Sequence, residues 1–326
     1  MESHFTGEGS HEVHTCSRQE VRREALHALR LSQLDALGST PPRLNRPRCP
    51  DFLDVGVLFL FRAYLECRIY NGLMSKSILV ANWKNHPASL EEARSLLKEM
   101  SKRRELYKKL SLFIAPPMPY FQAVSDKAGG FLKLAAQDVS LVGKGSYTGV
   151  VSLDILKSFG VRLAIIGHSE HRAMGESSEM VSLKVRAALR AGIVPLVCVG
   201  EKERDKDGDH FGLLREEIKA SLAGVSKQAA SSLIIAYEPV WVIGKSAKDA
   251  LPPGDLAQSA IFIKKVLSDL YGRNTADRIP IVYGGSVEPA NAGALAKETG
   301  VAGFLVGHAS LRAKWLEGIA VSMTQK

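Results

Sequence analysis

Cysteine is scarce in this chain: there are four in 326 residues, three of them (Cys16, Cys49 and Cys67) before residue 74 and one, Cys198, after it. A disulfide framework is thereby excluded for the later part, and the spacings of the earlier three match no common metal site. The lone Cys198 points to a reducing compartment, so a cytoplasmic location is expected. Long hydrophobic runs are missing too: no stretch of about 18 apolar residues exists, so no membrane span is expected. Aromatic residues make up 7%, and the 43 Lys and Arg are interspersed with 34 Asp and Glu. The net charge of +9 is therefore not gathered into a basic stripe with interleaved aromatics, and no nucleic-acid partner is expected. What the chain does have is 45% hydrophobic and 24% charged residues, enough to bury a large core as one big domain or two ordinary ones.

Composition breaks near Met74. Residues 1–73 hold nine Arg, nine acids and no Lys, whereas residues 74–326 hold 22 Lys and 12 Arg and carry the whole positive balance. A short helical pattern around Gln19 to Leu37 is followed by a Pro/Arg-rich break, TPPRLNRPRCP, and one apolar segment, VGVLFLF. That segment is too short to cross a bilayer and too far from the N-terminus for a secretory signal, and the nine acids argue against a transit peptide. Residues 1–73 are expected to be a poorly ordered appendage, with 74–326 as the folded unit and Met74 as its natural start.

From Ser77 onward short apolar runs alternate with amphipathic segments. The runs are ILVANW (78–83), LSLFIAPP (110–117), LKLAAQD (132–138), RLAIIGH (162–168), GIVPLVCVG (192–200), LIIAYEP (233–239), IPIVYGG (279–285) and AGFLVGH (302–308). Near-continuous hydrophobicity over such lengths is what parallel strands covered on both faces require. Between them, Ser89 to Glu92 reads as a capping box, and Lys184 to Ala191 and Leu256 to Leu270 place apolar residues at three- and four-residue spacing. Eight strand–helix units in about 250 residues fit a closed (β/α)8 barrel better than an open doubly wound sheet. Neither a dinucleotide fingerprint nor a P-loop follows the first run, which also weakens the open-sheet alternative.

Chemistry in such a barrel gathers at the C-terminal ends of the strands. The first run ends in Asn82-Trp83-Lys84, where Lys84 is either a solvated cation or a holder of anionic substrate. The fourth ends in GHSEH: His168 is either an ordinary loop residue or, with Ser169 and Glu170 opening a helix behind it, an imidazole kept neutral by helix-start N–H groups. The sixth ends at Glu238, either an ion-paired carboxylate or a base. The segment after it, PVWVIG, is apolar, unlike most loops, and reads as a lid with Pro239 and Gly244 near its ends. YGGSV and LVGHASL bring Gly284, Gly285, Ser286 and Gly307 to turns before helix starts, where backbone N–H groups can approach an anion.

In this order, NWK, GHSEH, YEPVWVIG, YGGS and LVGHAS closely resemble the triosephosphate isomerase family, with AAQD, YTG and VCVGE in the family's usual places. The resemblance covers Met74 to Lys326. It implies a TIM barrel that interconverts dihydroxyacetone phosphate and D-glyceraldehyde 3-phosphate through an enediolate, in glycolysis and gluconeogenesis. Glu238 is implied as the base, His168 as the neutral electrophile and Lys84, with Asn82, as the cationic partner of phosphate and enediolate. Backbone N–H groups of Gly244, Ser286, Gly307 and His308 are implied to cradle the phosphate. Glu170, Cys198, Trp241 and Thr148 are implied as supporting residues, Thr148 by reaching into the neighbouring subunit of a homodimer. No metal or organic cofactor is implied.

Several positions leave the family pattern. Asn85 replaces Met after the Lys of NWK, His308 replaces a second Gly, and Lys245-Ser246-Ala247 replaces TGK at the second lid hinge. Val150 replaces the Glu of YTGE and His171 the first Arg of GHSERR, two positions that commonly form a salt bridge between subunits. Losing both avoids leaving one charge unpaired, so a dimer with an altered interface is expected. Two rivals stand beside this reading. Another phosphate-binding barrel enzyme should lack the Glu-Pro lid with a His on strand four, and a silent scaffold barrel should have lost Glu238, His168 or Lys84.

Overall fold

The computed structural model describes residues 76–325, apart from 129, 206 and 246–249. The expectations for residues 1–73, and for Ser246 and Ala247 of the second hinge, lie outside the described residues. Eight parallel strands close into a barrel in sequence order: β1 (Ile78–Asn82), β2 (Ser111–Ala115), β3 (Lys133–Ala136), β4 (Leu163–Ile166), β5 (Val194–Val199), β6 (Ile234–Tyr237), β7 (Ile281–Tyr283) and β8 (Gly303–Val306). Each lies within one of the eight apolar runs. Closure is made by β1 on β8, with Ile78 opposite Gly303 and Ala81 opposite Val306.

The principal crossing helices are α1 (Leu90–Ser101), α2 (Phe121–Ser125), α3 (Leu153–Ser158), α4 (Ser178–Ala191), α5 (Asp209–Ser221), α6 (Pro253–Tyr271), α7 (Pro289–Glu298) and α8 (Ala313–Thr324). The periodic stretches read from the sequence fall inside α4 and α6. At the start of α1 the Ser89 hydroxyl accepts from the Glu92 N–H at 3.1 Å. The Glu92 carboxylate reaches one residue past the cap, to the Ala88 N–H at 3.2 Å, so the expected capping box is present in a stretched form. No helix among the described residues is long and apolar enough to cross a membrane.

Strand alternation sorts the apolar residues into two cores. Ile78, Val80, Phe113, Ala135, Leu163, Ile165, Leu196, Cys198, Ile234, Ala236, Val282 and Leu305 pack inside the barrel. Their neighbours, such as Leu79, Ala81, Leu112, Val197, Ile235 and Tyr237, pack outward against the helices. This double burial is why the strands read as unbroken apolar runs. It also fixes what stands at the rim, because the position two residues beyond the last inward side chain again faces the barrel mouth. By this parity β1 offers Asn82, β3 Gln137, β4 Gly167, β5 Gly200, β6 Glu238, β7 Gly284 and β8 Gly307.

At the closing seam a Cβ on Gly303 would fall on the backbone carbonyl and nitrogen of Ile78. Backbone at a β-ladder cannot yield as a flexible side chain would. Gly303→Ala is therefore expected to lower stability by about 3 kcal/mol, the upper part of the range for overpacking, read as a lower urea midpoint.

Candidate active site

Parity brings Glu238 to the mouth of the barrel, where the residue is all but buried, at 2% exposure. The β6 ladder continues through it, since its N–H donates to Val199 O at 2.8 Å. Glycines make room around it. A Cβ on Gly284 would stand 2.7 Å from Glu238 Cγ, and one on Gly200 would collide with the Glu238 carbonyl.

His168 reaches the same point by a turn. Gly167, with φ of 74°, ends β4 in the left-handed region that glycine adopts without cost, and so redirects the chain. His168 then caps a short helix, Ser169–Ala173, with its Nδ1 accepting from the Glu170 N–H at 3.2 Å. A ring that accepts at Nδ1 carries its proton at Nε2 when neutral. Nε2 lies 3.4 Å from Glu238 Oε1, while Glu238 Oε2 accepts from the Ser169 N–H at 3.2 Å. The helix start expected after GHSEH thus serves both groups: one N–H orients the imidazole and the preceding one holds the carboxylate.

Lys84 adopts a positive φ of 51°, the only described non-glycine residue to do so. Its N–H donates to Asn82 Oδ1 at 3.0 Å, and its carbonyl accepts from Gln137 Nε2 at 2.7 Å. Gln137 also donates to Ala115 O at 2.9 Å, tying the ends of β1 and β2 together. The Lys84 stem passes Gly307, where a Cβ would lie 3.3 Å from Cε, and Nζ meets Glu170 Oε1 at 2.7 Å. Burial pushes the Glu170 carboxyl up, but the Lys84 hydrogen bond and charge, helped by His168 and His171, leave it below the ordinary range.

The apolar segment after Glu238 does bury a face, as expected of PVWVIG. Val240–Val242 form one 3-10 turn, with Val242 fully buried. Its start is held by Glu201, whose Oε1 accepts from Tyr237 OH at 2.8 Å and from Trp241 Nε1 at 3.1 Å. Its end is held by Ser286, whose hydroxyl donates to Val242 O at 2.8 Å or to Lys245 O at 2.7 Å. Gly244 has φ of 78°. Gly307 leads into a 3-10 turn, His308–Leu311, and His308 is exposed. Thr148 is exposed in the loop after β3.

Three braces were not singled out in the sequence. Gln137 and Glu201 stood inside quoted motifs but without a role. Arg172 follows GHSEH and spans two strand ends, donating to Gly167 O at 2.9 Å and Cys198 O at 3.1 Å, with Glu217 at 3.5 Å. The cue for Gln137 was strand parity; for Arg172 and Glu201 it depended on which strand ends become neighbours.

Asp138, His171 and Glu176 offer ligand atoms within 4.8 Å of one another. A cation already occupies that grouping: Lys184 Nζ lies 2.7 Å from Asp138 Oδ2 and also bonds Glu176. Burial lowers the Lys184 pKa, and the two carboxylates more than reverse this, holding the ammonium above its ordinary range.

A closed (β/α)8 barrel whose rim gathers a buried carboxylate, an imidazole and a lysine defines a barrel enzyme. Residues 77–323 match the family model described as triosephosphate isomerase. Curated relatives carrying that name include one from Symbiobacterium thermophilum, 38% identical over 244 residues, which span 73% of this chain and 93% of the relative. The relative from Citrifermentans bemidjiense is 39% identical over 73% of this chain and 95% of its own, and that from Azoarcus sp. shows the same figures. The chain belongs to the triosephosphate isomerase family.

Cys198 sits in the barrel interior, 1% exposed. Burial first, and the Glu238 charge second, push its thiol well above the ordinary range. The thiolate is the reactive form, so at pH 8 native Cys198 is expected to escape iodoacetamide and to be alkylated readily in urea, as read by peptide mass spectrometry.

Proposed function

We propose that the chain interconverts dihydroxyacetone phosphate and D-glyceraldehyde 3-phosphate, and the observation that carries this reading is the Glu238–His168 pair, 3.4 Å apart at the barrel mouth. Glu238 removes a proton from the carbon beside the carbonyl. His168, with its proton at Nε2, donates to the carbonyl oxygen, so that negative charge develops on a hydrogen-bonded oxygen rather than on carbon. The hydroxyl proton passes from one oxygen to the other through His168, and the enediolate collapses as Glu238 returns its proton to the neighbouring carbon. The carboxylate ends as it began, and no electron acceptor is consumed.

Lys84 and Asn82 face the phosphate and the developing negative charge, with Glu170 positioning the Lys84 ammonium. Backbone N–H groups of Gly244, Ser286, Gly307 and His308 cradle the phosphate. Trp241 and its apolar neighbours form a lid that excludes water, which strengthens each electrostatic contact and protects the intermediate. The reaction belongs to glycolysis and gluconeogenesis. A cytoplasmic location accords with the single reduced thiol of the described residues.

We also propose a homodimer. Leu141, Tyr147, Val150 and Met180 are exposed around one groove beside β3, with Met174 exposed at 76%. Such an apolar face fits a second copy, whose site would receive Thr148. Val150 makes this contact apolar where the family commonly has a charge, and His171 instead faces Asp138 of its own chain at 3.6 Å.

Glu238→Gln keeps the shape and removes the base. In a coupled assay of glyceraldehyde 3-phosphate isomerisation it is expected to lower kcat by roughly 10²–10⁴-fold with an unchanged unfolding midpoint; near wild-type turnover would sink the assignment. For the assembly, sedimentation equilibrium at micromolar concentration should return twice the chain mass for the wild type, and Val150→Glu should shift it toward the monomer.

A further inference from the structure

Between Pro239 and Lys245 the chain carries a single charge, the Lys245 ammonium, at the position where the family pattern departs. Lys245 is exposed, yet its Nζ stands over the Trp241 ring, 5.9 Å from the centroid. Its backbone is held on both sides. The N–H donates to Val242 O at 3.3 Å, and the carbonyl accepts from the Ser286 hydroxyl at 2.7 Å. Trp241 is anchored from the opposite end, through Nε1 to Glu201 at 3.1 Å. The side chain of the last residue in the segment therefore reaches back four residues and rests on the ring that fixes the first turn.

We propose that Lys245 is a positioning residue of the lid, its ammonium stacked on Trp241 so that both ends of the segment are held as one piece. This rests on the isomerase reading for its kinetic consequence. Gly244, whose N–H is assigned to the phosphate, lies directly before Lys245, so the order of this corner sets how much of the chain is ready to bind. A cation over an indole face at an exposed site shifts such a balance by about two- to five-fold. Apparent affinity falls in proportion to the binding-competent fraction, and the step at Glu238 is untouched. Lys245 touches no reacting atom in this account; it acts through Trp241 and the backbone of Gly244.

The test uses the full chain as wild type, Lys245→Met and Lys245→Arg. Methionine keeps the stem and removes the charge, whereas a guanidinium stacks on indole at least as well as an ammonium. Lys245→Met is expected to raise KM for glyceraldehyde 3-phosphate and to speed amide exchange of Ile243 and residue 245, the two fold-changes multiplying to about two- to five-fold, with kcat and the unfolding midpoint unchanged. Lys245→Arg is expected to restore both KM and exchange. The proposal is overturned if Lys245→Met matches the wild type in both readouts, if Lys245→Arg is as impaired as Lys245→Met, or if the unfolding midpoint falls as KM rises. An inactive wild type would instead refute the isomerase reading, and the exchange rates would still decide the Lys245–Trp241 contact.

Discussion

Burying the Glu238 carboxylate at the end of a parallel strand carries a desolvation cost that the surrounding chain must offset with donors and space. The donor comes from the turn after β4, the Ser169 N–H, and beside the carboxylate at 3.4 Å stands the imidazole of His168, itself oriented by the next N–H along. The space comes from β5 and β7, where Gly200 and Gly284 carry no side chain. Everything else at the rim keeps these parts in register. Arg172 ties the ends of β4 and β5 by their carbonyls, and the ladder bond from the Glu238 N–H to Val199 ties β5 to β6. Burial first, and the same carboxylate second, raise the Cys198 thiol, which therefore stays uncharged beneath the site.

The polar groups around the 239–245 segment follow a different logic. Glu201 and Ser286 hold it by hydrogen bonds to an indole N–H and to backbone carbonyls, contacts worth about 1–3 kcal/mol each in net terms. Interactions of that size fix a conformation without making it permanent, which is what a covering segment over a site needs. On the opposite side of the rim the Lys84–Glu170 pair is partly exposed, and a contact of that kind also yields readily to a competing anion.

Much of this was legible in the sequence, for a physical reason. Strands buried on both faces must be apolar throughout, so all eight appeared as runs, and a charged or glycine-rich end to such a run marks the barrel mouth. The strands are shorter than the runs because burial outlasts ladder pairing: GIVPLVCVG holds a strand only from Val194 to Val199. The ends at Glu238, His168 and Lys84 could be read for the same reason, while their mutual distances could not. Lys84 and Glu170 are 86 residues apart in sequence, and Arg172 meets carbonyls of two strands. Such pairings are set by barrel closure, which no local pattern encodes. The Ser89 cap was local and was found, although its Glu92 partner settled one residue further back.

Lys84 shows where local and global requirements part. Its left-handed backbone costs a residue with a side chain roughly 1–2 kcal/mol, a conformation glycine would take freely. Bonds from Asn82 and Gln137 hold it there, and the amine is delivered across Gly307 to the mouth. Selection for a more stable barrel and selection for a cation at this point would therefore choose different residues at position 84. Any lineage that kept the fold but no longer needed a cation at the barrel mouth would find glycine at this position an improvement.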